Sequence, residues 1–492
     1  MVLLNLKNMT LIKSISGIRG TIGGAPGDAL TPIDIVKFTY AYSERMKQRR
    51  PKANGERYKV VVGKDARISG EMVEQLVCGT LLSCGVDVVN AGFASTPTVE
   101  MAVVFEDADG GIILTASHNP KQWNALKLLD EKGEFLNAKE GAAILACAEK
   151  EDFNFSDVDS IGVMEYKDFT DAHIDAVLSL ETVDVELVKS AGFKVVVDAV
   201  NSVGGIIMPR LLHRMGVECV ELNCEPTGEF AHNPEPLPEN LVDLSNLVLE
   251  TKADFGVSVD PDVDRLALIC EDGEAFGEEY TLVVIADYLL SRVYNEALQT
   301  GKTMEEVAAP YLLTTSSNLS SSRALRDITE QYGGEYFAAA VGEVNVVTKM
   351  KEKQCIFGGE GNGGVIYPAL HYGRDAIVGV ALFLTYLANK KCKVSELRAS
   401  YPQYVIVKNK IELADKKLID QILEHVKITY ASEDINTIDG VKISFEEKKK
   451  WVHLRRSNTE PIIRIYAEAP TEDEANALAQ EIIDLVNKKL SK

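Results

Sequence analysis

The sequence of 492 residues is short of several features that would place it in a specialised class of protein. Its eight cysteines form no C-x-x-C pair and have no metal-ligand spacing with histidine, which argues against a zinc site and favours free thiols in a reducing compartment. The longest membrane-like run, 377–387, is far shorter than the ~20 residues of a spanning helix. It is typical of a buried core helix.

Positive charge is also scarce. With 74 acidic residues against 52 Lys and Arg, the formal net charge is −22 at pH 7, which argues against non-specific binding to nucleic acid or to an anionic membrane. The segment Met1 to Lys7 has no basic stretch followed by a sustained apolar one, so a secretory signal is not expected. We therefore expect a cytoplasmic protein, and its length predicts roughly three or four domains.

What the sequence does contain is a β-α-β rhythm that occurs three times. Short apolar runs at 58–63, 193–198 and 312–315 begin the three units, and a polar helix start is expected at 316–318. The C-terminal part instead has strand-like runs with two helical segments, which predicts a small α+β domain with an antiparallel sheet. The predicted architecture is three tandem related α/β domains, 1–165, 166–275 and 276–403, followed by an α+β domain at 404–492.

The most informative motif is Thr115-Ala116-Ser117-His118-Asn119-Pro120, which directly follows the apolar run 111–114. The turn after a buried strand is where open α/β sheets place reactive groups, so Ser117 is a candidate nucleophile. We expect Asn119-Pro120 to open a helix whose backbone N–H groups would favour a phosphate on the hydroxyl. A hydrolase nucleophile elbow would require G-x-S-x-G, which these flanks do not provide. An ordinary helix-capping serine is the alternative.

A second cluster, Asp260-Pro261-Asp262-Val263-Asp264-Arg265, also follows a strand-like run, 255–259. Three alternate carboxylates that face one space repel one another unless a cation lies between them, and Mg²⁺ prefers such oxygen ligands. A calcium-binding EF-hand loop is not expected, because Arg265 stands where that loop requires glycine. A solvated acidic turn is the alternative.

Two further motifs contain groups that could bind a sugar phosphate. Glu360 lies within the glycine-rich run 358–364, where a close backbone approach would let its carboxylate accept hydrogen bonds from sugar hydroxyls; a flexible loop is the alternative. The segment 455–461 offers guanidinium, hydroxyl and amide donors for a phosphate monoester, or is simply a charged hairpin turn. Arg19 and Lys127 are further cationic candidates for the catalytic site, each of which would singly be taken for a surface residue.

Together, in this order and at these separations, the four motifs resemble those of the α-D-phosphohexomutase family. The resemblance covers essentially the whole chain, and the family includes phosphoglucomutase, phosphomannomutase and phosphoglucosamine mutase. It implies three related α/β domains with mixed sheets and a C-terminal α+β domain similar to the TATA-binding-protein fold, arranged around a central cleft. This agrees with the domains inferred from the sequence pattern.

The resemblance also implies roles for individual residues. Ser117 would be a phosphoserine, and its oxygen together with Asp260, Asp262 and Asp264 would hold Mg²⁺. Arg265 matches the neighbouring active-site arginine of the family, whereas His118 and Lys127 match positions for proton transfer or charge stabilisation. The implied substrate contacts are Glu360, Asn362, Arg455, Ser457, Asn458 and Thr459.

The implied activity is interconversion of hexose 1-phosphate and 6-phosphate through a hexose 1,6-bisphosphate, which also acts as an activator. Residues 17–20 and 459–461 are more similar to phosphoglucosamine mutases, whereas Asn458 is more similar to phosphomannomutases and phosphoglucomutases. We expect glucosamine phosphate as substrate, with mannose or glucose phosphate as alternatives. A phosphatase or bisphosphate synthase that uses the same phosphoserine and a non-catalytic phosphosugar sensor are the rival hypotheses. The expected partner is a phosphosugar, bound by a monomer or homodimer.

Overall fold

The computed structural model describes residues 9–14, 17–53, 55–412, 417–456 and 462–490. These residues form two compact units, one within Met1–Thr281 and Gly364–Ser395 and the other within Leu282–Gly363 and Glu396–Lys492. In the described ranges, no helix combines the length and the apolar character that a membrane span requires.

The secondary structure alternates between strands and helices over most of the chain. The strands are β1 (Ile12–Ser14), β2 (Gly17–Thr21), β3 (Tyr58–Lys64), β4 (Val86–Phe93), β5 (Gly110–Leu114), β6 (Trp123–Leu129), β7 (Met164–Tyr166), β8 (Lys194–Asp198), β9 (Glu218–Leu222), β10 (Phe255–Val259), β11 (Leu266–Cys270), β12 (Leu312–Asn318), β13 (Glu335–Ala339), β14 (Cys355–Glu360), β15 (Gly364–Ile366), β16 (Val405–Glu412), β17 (Asp434–Asn436), β18 (Val441–Phe445), β19 (Lys450–Arg456) and β20 (Ile462–Ala469). The helices are α1 (Pro32–Arg49), α2 (Gly70–Ser83), α3 (Thr96–Phe105), α4 (Ala138–Lys150), α5 (Thr170–Leu178), α6 (Val185–Ala191), α7 (Gly204–Arg214), α8 (Val242–Thr251), α9 (Tyr280–Thr300), α10 (Met304–Ala308), α11 (Ala324–Gln331), α12 (Glu343–Glu352), α13 (Ala376–Lys390), α14 (Val394–Ala399), α15 (Lys417–Thr429) and α16 (Glu472–Leu490).

The first sheet has the strand order β1-β2-β6-β5-β3-β4-β7. Its centre is the parallel set β4-β3-β5, and β6 runs antiparallel to β5. The run Val60–Val62 in β3 is completely buried, as expected for a parallel strand covered by helices on both faces. Phe38 of α1 and Leu81 of α2 lie in the hydrophobic core on one face, and Val99 of α3 lies in the core on the other.

The same parallel arrangement occurs twice more along the chain. In the second sheet, β9, β8 and β10 are parallel neighbours in that order and β11 runs antiparallel to β10. In the third sheet, β13, β12 and β14 are parallel neighbours in that order. Three related α/β domains with mixed sheets, as predicted, are therefore confirmed.

The C-terminal sheet is different because each of its neighbouring strands runs antiparallel, in the order β16-β20-β19-β18-β17. The helices α15 and α16 contribute Ile422 and Ile482 to a core that also contains Ile465 of the sheet. This confirms the predicted α+β domain. The boundaries near 165, 275 and 403 stay a prediction.

Two predicted helix starts are wrong, whereas the predicted core helix is confirmed as part of α13, whose residues 376–388 are all buried. After Asn119-Pro120 the chain makes a turn and enters β6, because the antiparallel pair β5–β6 needs only a short connection. Residues 316–318 end β12 instead of opening a helix, and α11 begins at Ala324. Two of their polar side chains are accommodated in the strand by hydrogen bonds, Ser317 with the Tyr336 hydroxyl at 2.9 Å and Asn318 with Glu360 at 3.1 Å.

Candidate active site

The predicted site residues follow equivalent strands of the three repeated sheets. Ser117 comes shortly after β5, Asp260 directly after β10, and Glu360 is the last residue of β14. In each sheet the strand that carries the site residue lies at the same end of its parallel set. It is β5 in β4-β3-β5, β10 in β9-β8-β10 and β14 in β13-β12-β14. Open α/β sheets bind ligands at the carboxyl ends of their parallel strands. Each of the three repeated sheets therefore has one predicted site residue at an end where ligands bind.

The backbone of Ser117 is held in an unusual conformation. Its φ of 49° lies in the left-handed region, which costs a residue other than glycine about 1–3 kcal/mol. The Ser117 N–H donates to the Thr115 hydroxyl at 2.9 Å, and the buried Ser117 hydroxyl donates to Asp260 Oδ2 at 2.6 Å. The loop after β5 therefore meets the acidic loop after β10.

The three aspartates form a compact group of hard oxygen ligands. All three are completely buried, and one carboxylate oxygen from each lies within 4.8 Å of the others. Burial raises the pKa of Asp260, and the nearby carboxylates of Asp264 and Asp262 raise it further. Among the described residues, Oδ1 of Asp262 and Oδ1 of Asp264 are buried without a hydrogen-bond partner. Because such oxygens are costly unless compensated, this donor set is compatible with a divalent cation such as Mg²⁺.

Two basic side chains contact this acidic group. Lys127 Nζ lies 2.6 Å from Asp262 Oδ2 and 3.3 Å from Asp264 Oδ2, and an Arg374 N–H donates to Asp264 Oδ2 at 2.7 Å. Burial lowers the pKa of Lys127, but the two carboxylates raise it by more, so the ammonium group stays charged. Burial raises the pKa of Asp262, but the charge and hydrogen bond of Lys127, together with hydrogen bonds to Thr96 and Asp260, lower it by more.

His118 lies on the other side of the Ser117 hydroxyl, with its Nδ1 3.4 Å from the serine oxygen. Burial lowers the pKa of His118 to about 2, and the positive charges of Arg265 and Arg374 contribute to this shift. The imidazole is therefore neutral at pH 7. Because Arg265 donates to Nδ1 at 2.9 Å, the proton of the ring lies on Nε2.

Arg265 and Arg19 supply further positive charge in the same unit. Arg265 also lies 3.3 Å from Glu235 Oε1. Arg19 is on β2, opposite Ala125 of β6, and its charge also disfavours the protonated form of His118. Burial lowers the pKa of Arg19. In the described part of the chain, Nε of each arginine is buried without a hydrogen-bond partner, which leaves donors for an anionic ligand.

Sequence reasoning missed two buried arginines of this unit, Arg67 and Arg374. The first lies in Gly63-Lys64-Asp65-Ala66-Arg67, where a carboxylate and a guanidinium two residues apart at the end of a strand could have been a signal. The second comes immediately before Asp375, which caps α13 by accepting from Ile377 N–H at 2.7 Å. A charged pair directly before the most apolar helix was the signal there.

The substrate contacts predicted after β14 and β19 belong to the other unit. Glu360 is buried, and its Oε1 accepts from Asn318 Nδ2 at 3.1 Å and from Gly342 N–H at 3.0 Å. Within the described ranges, Asn362 Oδ1 is buried without a hydrogen-bond partner. Arg455 lies at the end of β19, with Nε 3.3 Å from a carboxylate oxygen of Asp439. The remaining predicted contacts lie outside the described residues: Ser457, Asn458 and Thr459.

Models of one protein family match the chain from end to end. The matches are phosphoglucomutase/phosphomannomutase alpha/beta/alpha domain I at residues 11–155, domain II at 171–273, domain III at 278–404 and the C-terminal domain at 405–485.

Two similar proteins cover nearly the whole chain. A phosphoglucomutase/phosphomannomutase of Thermococcus kodakarensis is 35% identical over 476 residues, which cover 96% of this chain and 98% of the relative. A probable phosphoglucosamine mutase of Methanopyrus kandleri is 32% identical over 477 residues, which cover 96% of this chain and 97% of that protein.

Solved structures share the fold. A phosphoglucomutase/phosphomannomutase family protein from Burkholderia thailandensis has a TM-score of 0.80 at 24% identity, covering 98% of this chain and 97% of the other. An N-acetylphosphoglucosamine mutase of Aspergillus fumigatus, solved in complex with GlcNAc-6P and magnesium, has a TM-score of 0.54 at 14% identity. That comparison covers 90% of this chain and 85% of the other.

Proposed function

Because the chain belongs to the phosphoglucomutase/phosphomannomutase family of phosphohexomutases, we propose that it interconverts a hexose 1-phosphate and the corresponding 6-phosphate. The reaction would proceed through a phosphoserine at Ser117 and a hexose 1,6-bisphosphate, which also acts as an activator. The single observation that carries this proposal is the 2.6 Å hydrogen bond from the Ser117 hydroxyl to Asp260 of the acidic group. It joins a nucleophile to a site for a divalent cation.

The proposed chemistry consists of two phosphoryl transfers. In the first, the bond between phosphorus and Ser117 Oγ breaks while the free sugar hydroxyl forms a bond to phosphorus, and the proton that this hydroxyl loses ends on Ser117 Oγ, which restores the serine hydroxyl. The bisphosphate then turns end for end, and its other phosphoryl group returns to Ser117. Such transfers depend on positioning and electrostatic stabilisation, which Lys127, Arg265 and Arg19 would supply. His118, as the family resemblance implies, would assist proton transfer or stabilise transferred charge; because its Nδ1 accepts from Arg265, the proton that it can donate is on Nε2.

Asp260, Asp262, Asp264 and Ser117 would hold Mg²⁺. When bound, the ion supplies positive charge that stabilises the oxygens of the transferring phosphoryl group. The two orphaned carboxylate oxygens support this assignment, and so does the magnesium in the solved Aspergillus fumigatus enzyme.

For the substrate, we infer a phosphosugar whose hydroxyls are read by Glu360 and Asn362. Arg455, together with Ser457, Asn458 and Thr459, would bind the phosphate that is not being transferred. Glucosamine phosphate is the preferred sugar, which the name of the Methanopyrus kandleri relative supports, and mannose or glucose phosphate is the alternative. The domain boundaries near 165, 275 and 403 would separate the segments that carry these loops.

The test is an assay of 1-phosphate to 6-phosphate conversion with a catalytic amount of hexose 1,6-bisphosphate. Glucosamine, mannose, glucose and N-acetylglucosamine 1-phosphates are compared by kcat/KM. We expect conversion by the wild type, highest for glucosamine 1-phosphate, and no measurable turnover by Ser117→Ala, because the phosphoryl acceptor is removed.

The control is Ser190→Ala, which removes an exposed hydroxyl that bonds to the Leu187 carbonyl, and it should keep wild-type activity. If inorganic phosphate were the sole product, the protein would be a phosphatase and the mutase proposal would be wrong. Turnover by Ser117→Ala would exclude the covalent route.

A further inference from the structure

Arg67 uses every N–H donor of its guanidinium group on the protein itself. The side chain is buried, and a guanidinium offers five N–H donors. Nε donates to Asp65 Oδ2 at 3.0 Å, one terminal nitrogen donates to the carbonyls of Pro120 at 2.9 Å and Trp123 at 3.0 Å, and the other donates to the carbonyls of Asn119 at 2.7 Å and Ser117. Four of the five acceptors are therefore backbone carbonyls, three in the loop that carries the nucleophile and one at Trp123, the first residue of β6.

The N–H of Ser117 is anchored to the same carboxylate by a different route. Thr115 Oγ1 accepts from Ser117 N–H at 2.9 Å and donates to Asp65 Oδ2 at 2.6 Å. The other Asp65 oxygen accepts from Arg67 N–H at 3.0 Å. Asp65, Arg67 and Thr115 are all buried, and the ring of Phe230 lies 5.1 Å from the guanidinium carbon. Both backbone groups of Ser117 are thus held by one shielded network.

This network has the geometry that the Ser117 conformation requires. A non-glycine residue stays in the left-handed region only when its surroundings determine its backbone on both sides. Lysine could not replace the arginine, because an ammonium group has three donors and no planar fork to span four carbonyls. The arrangement is also too enclosed for Arg67 to contact a substrate, since none of its N–H groups is left over.

We propose that Arg67, anchored by Asp65, is a positioning residue that holds Ser117 in the backbone conformation from which its oxygen accepts and returns the phosphoryl group. This inference rests on the proposed function. It assigns to Arg67 an effect on the rate of transfer and none on the affinity for the hexose phosphate.

The principal test is Arg67→Lys. We expect kcat to fall about 100-fold, because displacement of a reacting group by about 1 Å has this effect, while KM stays within about threefold of wild type. The rate at which hexose 1,6-bisphosphate phosphorylates Ser117, followed by intact-protein mass spectrometry, should fall by the same factor as kcat. Thr115→Val removes the hydrogen bonds of Thr115 to Ser117 N–H and to Asp65 but leaves the contacts of Arg67 with the carbonyls, so both rates should fall by less than in Arg67→Lys.

Two controls separate positioning from a general loss of structure. Arg57→Lys changes an exposed arginine that also binds a carboxylate, Asp87, and should behave as wild type. Amide hydrogen exchange in Arg67→Lys should be faster in residues 115–123 and unchanged elsewhere in the sheet. Guanidinium at a low, non-denaturing concentration should restore part of the kcat of Arg67→Ala, because it can occupy the space that the side chain leaves.

Wild-type rates of turnover and Ser117 phosphorylation in Arg67→Lys would overturn the inference. The inference would also be overturned if hydrogen exchange in Arg67→Lys increased throughout the unit and guanidinium did not restore the kcat of Arg67→Ala. Arg67 would then be merely structural. If the wild type converted no hexose phosphate, the proposed function would fail, and the exchange experiment would decide this inference separately. Unchanged exchange in residues 115–123 would then overturn it, and faster exchange confined there would support it.

Discussion

At the scale of single residues, the candidate site depends on the balance of charge in a small buried volume. Three carboxylates, those of Asp260, Asp262 and Asp264, lie together, and among the described residues Lys127 and Arg374 form ion pairs with them. Counted as ionised groups, the three carboxylates and two cations carry a formal charge of −1, and this excess of negative charge adds to burial in raising the pKa of Asp260. In the same place, two carboxylate oxygens have no hydrogen-bond partner in the described part of the protein. A bound divalent cation would remove both sources of unfavourable energy.

This charge balance predicts the behaviour of Asp260→Asn. Without Mg²⁺ the variant should be at least as stable as wild type, because one of three repelling carboxylates is removed. Mg²⁺ at 100 times its dissociation constant should raise the free energy of unfolding of wild type by about 2.7 kcal/mol and that of the variant by far less. Denaturant unfolding with Mg²⁺ or with a chelator measures both effects. The control is Asp159→Asn, which changes an exposed aspartate and should respond to Mg²⁺ as wild type does. If Mg²⁺ stabilised Asp260→Asn as much as wild type, the assignment of Asp260 as a metal ligand would be wrong.

At the scale of secondary-structure elements, the packing of α3 on β3 fixes the position of the acidic loop. Thr96, the first residue of α3, donates its N–H to the Asp262 carbonyl at 2.9 Å and its hydroxyl to Asp262 Oδ2 at 2.6 Å. The helix approaches the strand closely at Gly63, where an added Cβ would lie 2.4 Å from Val99 Cγ2. A strand residue without a side chain therefore determines how near the start of α3 can lie to the sheet.

We predict that Gly63→Ala lowers the free energy of unfolding by about 1–3 kcal/mol, because the new methyl group must displace α3. Gly79→Ala is the matched substitution, since Gly79 is exposed within α2 and an added Cβ would have no atom within 4 Å. It should stabilise the protein by about 0.5–1 kcal/mol, as alanine does in helix interiors. Denaturant unfolding of both variants tests the pair, and a Gly63→Ala protein as stable as wild type would show that α3 is free to move.

At the scale of the whole molecule, the predicted residues are distributed over two compact units. Ser117 and the three aspartates belong to one unit, whereas Glu360 and Arg455 belong to the other. The proposed roles follow the same division, because phosphoryl transfer is assigned to the first group and recognition of the sugar phosphate to the second. Substitutions in the two units should therefore alter different kinetic constants.

Arg455→Ala is expected to raise KM for the hexose phosphate about 10- to 100-fold, since a hydrogen bond to a charged group contributes about 1.5–3 kcal/mol. Its kcat should stay within a few-fold of wild type, because the residue is assigned to the phosphate that is not transferred. Arg456→Ala, the next residue on β19 and exposed, faces the opposite side of the sheet and should leave KM unchanged. Steady-state kinetics of the two variants decides the question, and an unaltered KM in Arg455→Ala would exclude that role.

Much of the fold was predictable because the relevant signals are local. Continuous runs of valine, at 60–62 and 195–197, indicate buried parallel strands without knowledge of their neighbours. The expected helix after Asn119-Pro120 was wrong for the opposite reason. Proline and asparagine indicate a turn, but whether a helix or a strand follows depends on pairing with β5, which is a tertiary contact.

The available chemistry can be recognised in the amino-acid sequence alone: a serine after a strand, three alternate aspartates, and an α/β repeat followed by an α+β domain. These are properties of residues that are neighbours in the chain, so their spacing is enough to recognise them. Which distant groups complete the site depends on the packing of the folded chain. Arg67 reaches carbonyls 50 to 56 residues away and Arg374 reaches Asp264 across 110 residues. Each of these arginines has an aspartate within two residues in the sequence, but that local pattern does not distinguish a buried arginine from a solvated surface charge, because burial is a property of the packed fold.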